Sequence, residues 1–153
     1  MPVVPSAAIE NPSKQLQAVL KWAEGMATAN FDILGAVLAD DYVHTALPAN
    51  LSIPVLGSKE HFIKHYQGVL PIFSSFDVSV HEVVEAPGRV VLHAAADAMT
   101  KPGFPYINEY ILIFHVAEQP DGSFKLTSAK EFVDSKFTAG FMEQLQKVLA
   151  PSS

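Results

Sequence analysis

The sequence predicts an α+β domain in which helices come first and a curved antiparallel sheet follows. Three observations predict it. In the first third, Leu16, Val19, Leu20, Ala23, Met26 and Ala27 recur at helical spacing. From Phe76 onward the period changes to two, with Phe76, Val78 and Val80 alternating with Asp77, Ser79 and His81. Three turn signals, Ala86-Pro87-Gly88, Lys101-Pro102-Gly103 and Gln119-Pro120-Asp121-Gly122, then cut the remainder into the strands of a meander.

Each element has a local cause. Residues 1–10 read as a loose, flexible tail, and residues 11–150 as a single domain. Asn11-Pro12 supplies a cap and a first-turn proline for the first helix, which carries Trp22 at the flank of its apolar stripe. Asn30 caps a second, short helix bearing Phe31, Leu34, Val37 and Leu38, which ends at Ala39-Asp40-Asp41. A short strand, Tyr42 to Leu47, is closed by Pro48. After a loop, Ser58 and Glu60 open a third helix whose buried side holds Phe62, Ile63, Tyr66, Val69 and Leu70, until Pro71 ends it. Four strands follow, and Ser135 caps a closing helix with Phe137, Phe141, Leu145, Val148 and Leu149, although Gly140 weakens its start.

Composition narrows the function. A chain of 153 residues with 49% hydrophobic and 17% charged residues is not disordered and buries a substantial core. Ten basic against 16 acidic residues give a net charge of -6, which repels phosphate backbones, so no nucleic-acid partner is expected. The absence of cysteine excludes disulfides, thiolate metal sites and a Cys nucleophile. No membrane partner is expected, because no run is long enough to span a bilayer and the Met1-Pro2-Val3-Val4-Pro5-Ser6 start lacks a basic, signal-like character. A soluble cytoplasmic protein is the expectation. No Gly-rich phosphate loop, nucleophile elbow or dinucleotide fingerprint is present, so no cofactor is expected.

The helix leading into Leu38-Ala39-Asp40-Asp41-Tyr42-Val43, the Gly57-Ser58-Lys59-Glu60 opening of the third helix, and Asp121-Gly122 followed by Lys130-Glu131-Phe132-Val133-Asp134 carry a resemblance. On these motifs the chain resembles the nuclear-transport-factor-two-like superfamily, and within it the SnoaL-like polyketide cyclases, over residues 14–134. The resemblance implies a cystatin-like conical half-barrel, a curved antiparallel sheet wrapped around N-terminal helices, with a pocket that serves isomerases, dehydratases, cyclases, hydrolases and binding proteins alike. In a comparison with ketosteroid isomerases, the general-base aspartate falls on Ala46 and the oxyanion tyrosine on Trp22. Neither side chain fills the role in the same way, which argues against a steroid isomerase of that design. The same comparison implies that Trp22, Tyr42, His44 and Ala46 point into the cavity; Phe62 and Tyr66 join them as expected substrate-binding residues.

A turn centred near residue 120 sets Glu109 opposite Glu131, and the preceding turn sets Glu109 opposite Ala96, on the wholly apolar face of Val90, Leu92, Ala94, Ala96 and Ala98. Two carboxylates side by side in a half-buried place cannot easily both ionise, so one would act as acid and the other as base. A register slip of one residue would instead put Glu109 outside. His44 is either a proton-moving partner of these carboxylates or a hydrogen-bonded core histidine. His61 and His65 lie four apart on a helix, but without a zinc-protease glutamate or a third ligand they read as a solvated flank, and no metal site is expected.

Two functions fit. One is a cofactor-independent proton-transfer enzyme, an isomerase, dehydratase or cyclase acting on a small apolar carbonyl metabolite, with Glu131, Glu109 and His44 as catalytic groups. The other is a non-catalytic module that binds a lipophilic ligand or a protein. Either way a homodimer is expected through an outer sheet face bearing Arg89, Val91, His93, Tyr110, Leu112 and Phe114.

Overall fold

The computed structural model describes residues 10–149; residues 1–9 of the expected tail lie outside the described residues. Helix α1 (Lys14–Thr28) is capped by Ser13, not Asn11: Ser13 Oγ accepts Leu16 N–H at 3.1 Å. Asn30 Oδ1 accepts the amides of Asp32 and Ile33 and starts α2 (Phe31–Val37) as expected. That helix ends earlier than the sequence suggests. Leu38 adopts extended dihedrals, is fully buried, and pairs with Leu126 as the first residue of β1 (Leu38–Leu47). Ser58 caps α3 (Lys59–Val69), accepting His61 N–H at 3.0 Å. The meander is β2 (Phe73–Ala86), β3 (Arg89–Thr100), β4 (Pro105–Glu118) and β5 (Phe124–Val133). The closing helix α4 (Ser135–Leu149) takes its cap from Asp134, not Ser135: Phe137 N–H donates to Asp134 Oδ1 at 3.1 Å, and the helix runs through Gly140.

The strand order is β1-β5-β4-β3-β2. β1 pairs with β5 in parallel, so the curved sheet is mixed and not wholly antiparallel. A parallel neighbour is reachable because α3 and three strands intervene, long enough for the chain to return to the same side. The helical layer covers one face: Leu16, Val19, Trp22 and Leu34 pack with Leu92, Phe114 and Leu126 in one buried cluster. Among the described residues no helix is long and apolar enough to cross a membrane.

Two register details decide which side chains look inward. Thr100 N–H bonds to Phe104 O, closing a loop of three residues around Gly103 at φ 99°, so Ala95 faces Glu109 and Ala96 faces Asn108. This is a one-residue difference from the sequence expectation, and it reverses the faces of β4. Asn108, Leu112, Phe114 and Val116 are buried, with Tyr106 and Tyr110 half-buried beside them, while Ile107, Glu109 and Ile111 face outward. The expected outer-face residues Tyr110, Leu112 and Phe114 therefore belong to the interior. The second detail is a bulge in β5, where Val116 pairs with Leu126 but His115 pairs with Ser128, so that Thr127 is the extra residue. Beyond the bulge Leu112 faces Glu131, where an unbulged ladder would have brought Lys130.

Candidate active site

Glu131 points into the hollow between sheet and helices, its side chain 17% exposed; Glu109 lies on the opposite face at 68%. The expected carboxylate pair does not form. Glu109 Oε1 pairs instead with His93 Nε2 at 2.7 Å on the outer face, a consequence of the three-residue loop.

The partner of Glu131 is His44. Its Nε2 lies 2.7 Å from Glu131 Oε2, and its Nδ1 lies 2.8 Å from Tyr42 Oη. The backbone holds this histidine from both sides: its strand pairs with β5, and its N–H and C=O bond to Leu56 O and N at 2.9 and 3.0 Å. Around the imidazole stand Phe62 at 5.1 Å, Trp22 at 6.3 Å in a stacked arrangement and Tyr66 at 6.4 Å between ring centroids. Tyr42 is buried and its phenol is held protonated, its pKa pushed well above the ordinary value first by burial and then by the Glu131 charge. A protonated Tyr42 that donates to Nδ1 fixes the tautomer with hydrogen on Nε2, which is the atom that donates to Glu131. Glu131 Oε1 makes no hydrogen bond among the described residues and is the oxygen left for another partner.

A cavity of about 50 Å³ opens beside Glu131. Trp22, Met26, Phe76, Ala94, Ala96 and Tyr110 are among the groups lining it. Ala46 pairs with Glu131 across the strands and is half-buried, while Tyr42, Phe62 and Tyr66 stand behind, forming the wall around His44. Of the sequence-derived residues, the structure thus gathers Glu131, His44, Trp22, Tyr42, Ala46, Phe62 and Tyr66, and separates Glu109.

Sequence reasoning missed a second polar group in this hollow. Tyr106 Oη and Tyr110 Oη share a short hydrogen bond, and Asn108 Nδ2 donates to Tyr106 Oη at 3.0 Å. All four tyrosines of the chain, Tyr42, Tyr66, Tyr106 and Tyr110, have phenol pKa values raised by burial first, and the Glu131 charge contributes at every one. Tyr106 reaches about 12. The signal available in the sequence was the Tyr106, Asn108, Tyr110 alternation, three polar groups on one strand face, hidden by the register slip. Among the described residues, no group of three or more His, Asp or Glu is placed to hold a metal ion.

Residues 19–125 match the family of SnoaL-like domains. This chain belongs to that family. The SnoaL-like chain is 26% identical over 140 residues to the protein named monooxygenase ptaG of Pestalotiopsis fici, covering 90% of this chain and 94% of that one. Among solved structures it superposes on BvnE pinacolase from Penicillium brevicompactum with a TM-score of 0.77 and 19% identity, over 88% of this chain and 96% of the other. It also superposes on an LEH-like epoxide hydrolase of M. tuberculosis with a TM-score of 0.68 and 16% identity, over 90% and 97%. All three bear the names of enzymes; at these identities the structural likenesses establish the SnoaL-like fold alone.

Proposed function

We propose that this SnoaL-like chain is a proton-transfer enzyme, an isomerase, dehydratase or cyclase, that acts on a small apolar carbonyl metabolite with its own side chains as acid and base. The observation that carries the reading is a single carboxylate, Glu131, lining an otherwise largely apolar cavity and oriented by a histidine whose other nitrogen is tied to a buried phenol. Glu131 Oε1 takes the proton from the carbon next to the substrate carbonyl. The C–H pair becomes a C=C bond and the carbonyl π pair moves onto oxygen, giving an enolate. His44 Nε2–H, already bonded to Oε2, holds the carboxylate in place throughout; Tyr42 keeps His44 in that tautomer. Trp22, Met26, Phe76, Ala94 and Ala96 form the apolar wall that excludes water around this step, while Phe62 and Tyr66 enclose His44 behind it. Kinship with chains named for enzymes supports a small-molecule-processing role; the reaction itself is this proposal.

The alternative, a protein-interaction module without chemistry, is favoured by one observation: a cavity of about 50 Å³ is small beside the usual ligand pocket of roughly 300–1,000 Å³, so any enclosed small molecule needs lining side chains to move. Incubating the protein with a panel of small apolar carbonyl compounds and following mass and connectivity separates the two. Conversion by the native chain and loss of about a hundredfold to ten-thousandfold in Glu131→Gln, with the thermal midpoint nearly unaltered, is the expected result. Bound but unchanged compounds, or full conversion by Glu131→Gln, would contradict it.

A further inference from the structure

Across the sheet from the hollow, the outer face carries a cluster of titratable groups that the proton transfer does not use. The ladder between β2 and β3 slips by one residue: Val80 pairs with Ala94 but Glu82 pairs with His93, so His81 and Glu82 both stand against His93. The His81 and His93 rings lie side by side, centroids 5.0 Å apart and planes tilted by 57°. On the other side of His93, its Nε2 lies 2.7 Å from Glu109 Oε1. An ionised carboxylate only accepts, so the neutral imidazole carries its hydrogen on Nε2 and its lone pair on Nδ1. That Nδ1 has no hydrogen-bond partner among the described residues, and neither has either ring nitrogen of His81.

The spacing of the two rings has a chemical meaning. Imidazoles bound to one ion at about 2.0–2.1 Å, with an angle at the ion of roughly 90–109°, hold their ring centroids about 4.5–5.2 Å apart. The observed 5.0 Å falls within that range. A carboxylate on the far nitrogen of a ligating histidine fixes its tautomer and raises its basicity, and Glu109 stands in that position behind His93. Imidazole donors select zinc, nickel or copper over magnesium and calcium, which take oxygen.

We propose that His81 and His93 form a two-imidazole site for a divalent transition ion such as zinc on the outer sheet face, with water in the remaining positions and Glu109 as the positioning residue that holds His93. Two protein ligands, against the three or four of a catalytic or structural zinc site, make the ion exchangeable. The site lies on the opposite side of the sheet from Glu131 and stands independently of the proton-transfer reading.

The test is a titration of the full chain with zinc chloride, read by competition with a coloured chelator and by the nitrogen chemical shifts of the imidazoles. His61 and His65, four apart on α3, are the competing pair, so the titration is run in a His61→Ala, His65→Ala background. There the chain is expected to bind one ion at micromolar zinc. His93 Nδ1 should move on binding while Nε2 keeps its hydrogen, and a His81 ring nitrogen should move with it. Adding His81→Ala or His93→Ala should weaken binding by about tenfold or more, since losing a ligand costs no less than losing the group that orients it. Adding Glu109→Gln should cost about tenfold. Glu82→Gln removes an equal charge beside His93 without touching the Nε2 hydrogen bond and should cost less than Glu109→Gln. No ion bound at micromolar zinc, unchanged affinity after both His81→Ala and His93→Ala, or a shift at His93 Nε2 in place of Nδ1 each overturns the site. Equal losses from Glu109→Gln and Glu82→Gln overturn the positioning role. If a variant fails to fold by circular dichroism, the nitrogen shifts of His81 and His93 in the otherwise unaltered chain decide.

Discussion

His44 has both ring nitrogens engaged within a cage of aromatic rings, and that geometry makes Tyr42 the test of the relay at the residue scale. Tyr42→Phe removes the donor from Nδ1 and strands a buried nitrogen, which should destabilise the fold by about 1–3 kcal/mol in chemical denaturation. It should also lower turnover, because the imidazole is no longer held in the tautomer that orients Glu131; unchanged stability and turnover would show that the phenol is incidental. The tyrosines also set the alkaline limit. A phenol whose pKa rises from 10.0 to about 12 on folding, as at Tyr106, keeps its proton in the folded chain where the unfolded chain loses it. Its stabilisation is complete below pH 10.0 and is lost as pH climbs through about 12. A tyrosinate absorbance titration should accordingly show the phenols ionising together with loss of ellipticity; four independent titrations near pH 10.0 in a folded chain would contradict this. Much of this site was legible. His44, Tyr42, Trp22 and Glu131 were singled out on residue type, strand parity and resemblance. Glu109 was misplaced and Tyr110 turned outward, because parity along β4 hangs on whether one loop holds an odd or even number of residues.

At the scale of elements, the bulge at Thr127 puts Glu131 in the hollow where Lys130 would otherwise stand. No composition signal announces such a bulge: Lys125 to Val133 reads as an uninterrupted strand, and only the ladder with β4 reveals the extra residue. The extent of β3 was legible to the residue because proline-glycine turns bound it on both sides and its alternation is unbroken. The parallel β1–β5 pair was not, since it depends on strands far apart in the chain. A close approach holds α1 on α2. A Cβ added to Gly25 would lie 2.8 Å from Cγ of Leu34, a side chain with no exposed surface. Gly25→Ala should therefore lose about 1–3 kcal/mol to overpacking, against the gain of up to roughly 1 kcal/mol that alanine brings to an unconstrained helix. A rise in thermal midpoint would mean the helices part without cost.

For the whole molecule, the outer sheet face carries Ile107, Ile111 and Phe132 where Tyr110, Leu112 and Phe114 were expected. Ile107, Ile111 and Phe132 are 56%, 42% and 51% exposed on adjoining strands, around the His93–Glu109 pair. Exposed aliphatic and aromatic groups on one sheet face favour pairing of two copies. Sedimentation should find a dimer at micromolar concentration and a monomer for Ile111→Glu, and a monomeric native chain would contradict the pairing. The half-barrel itself follows from helices covering one sheet face, and it leaves the other face for that contact.

If Glu131 moves a proton to and from carbon, deuterium passes from heavy water into a panel of small cyclic ketones incubated with the protein. Label is expected at the carbon beside the carbonyl with the native chain, with a loss of about a hundredfold or more with Glu131→Gln. Equal uptake by the two proteins would contradict it.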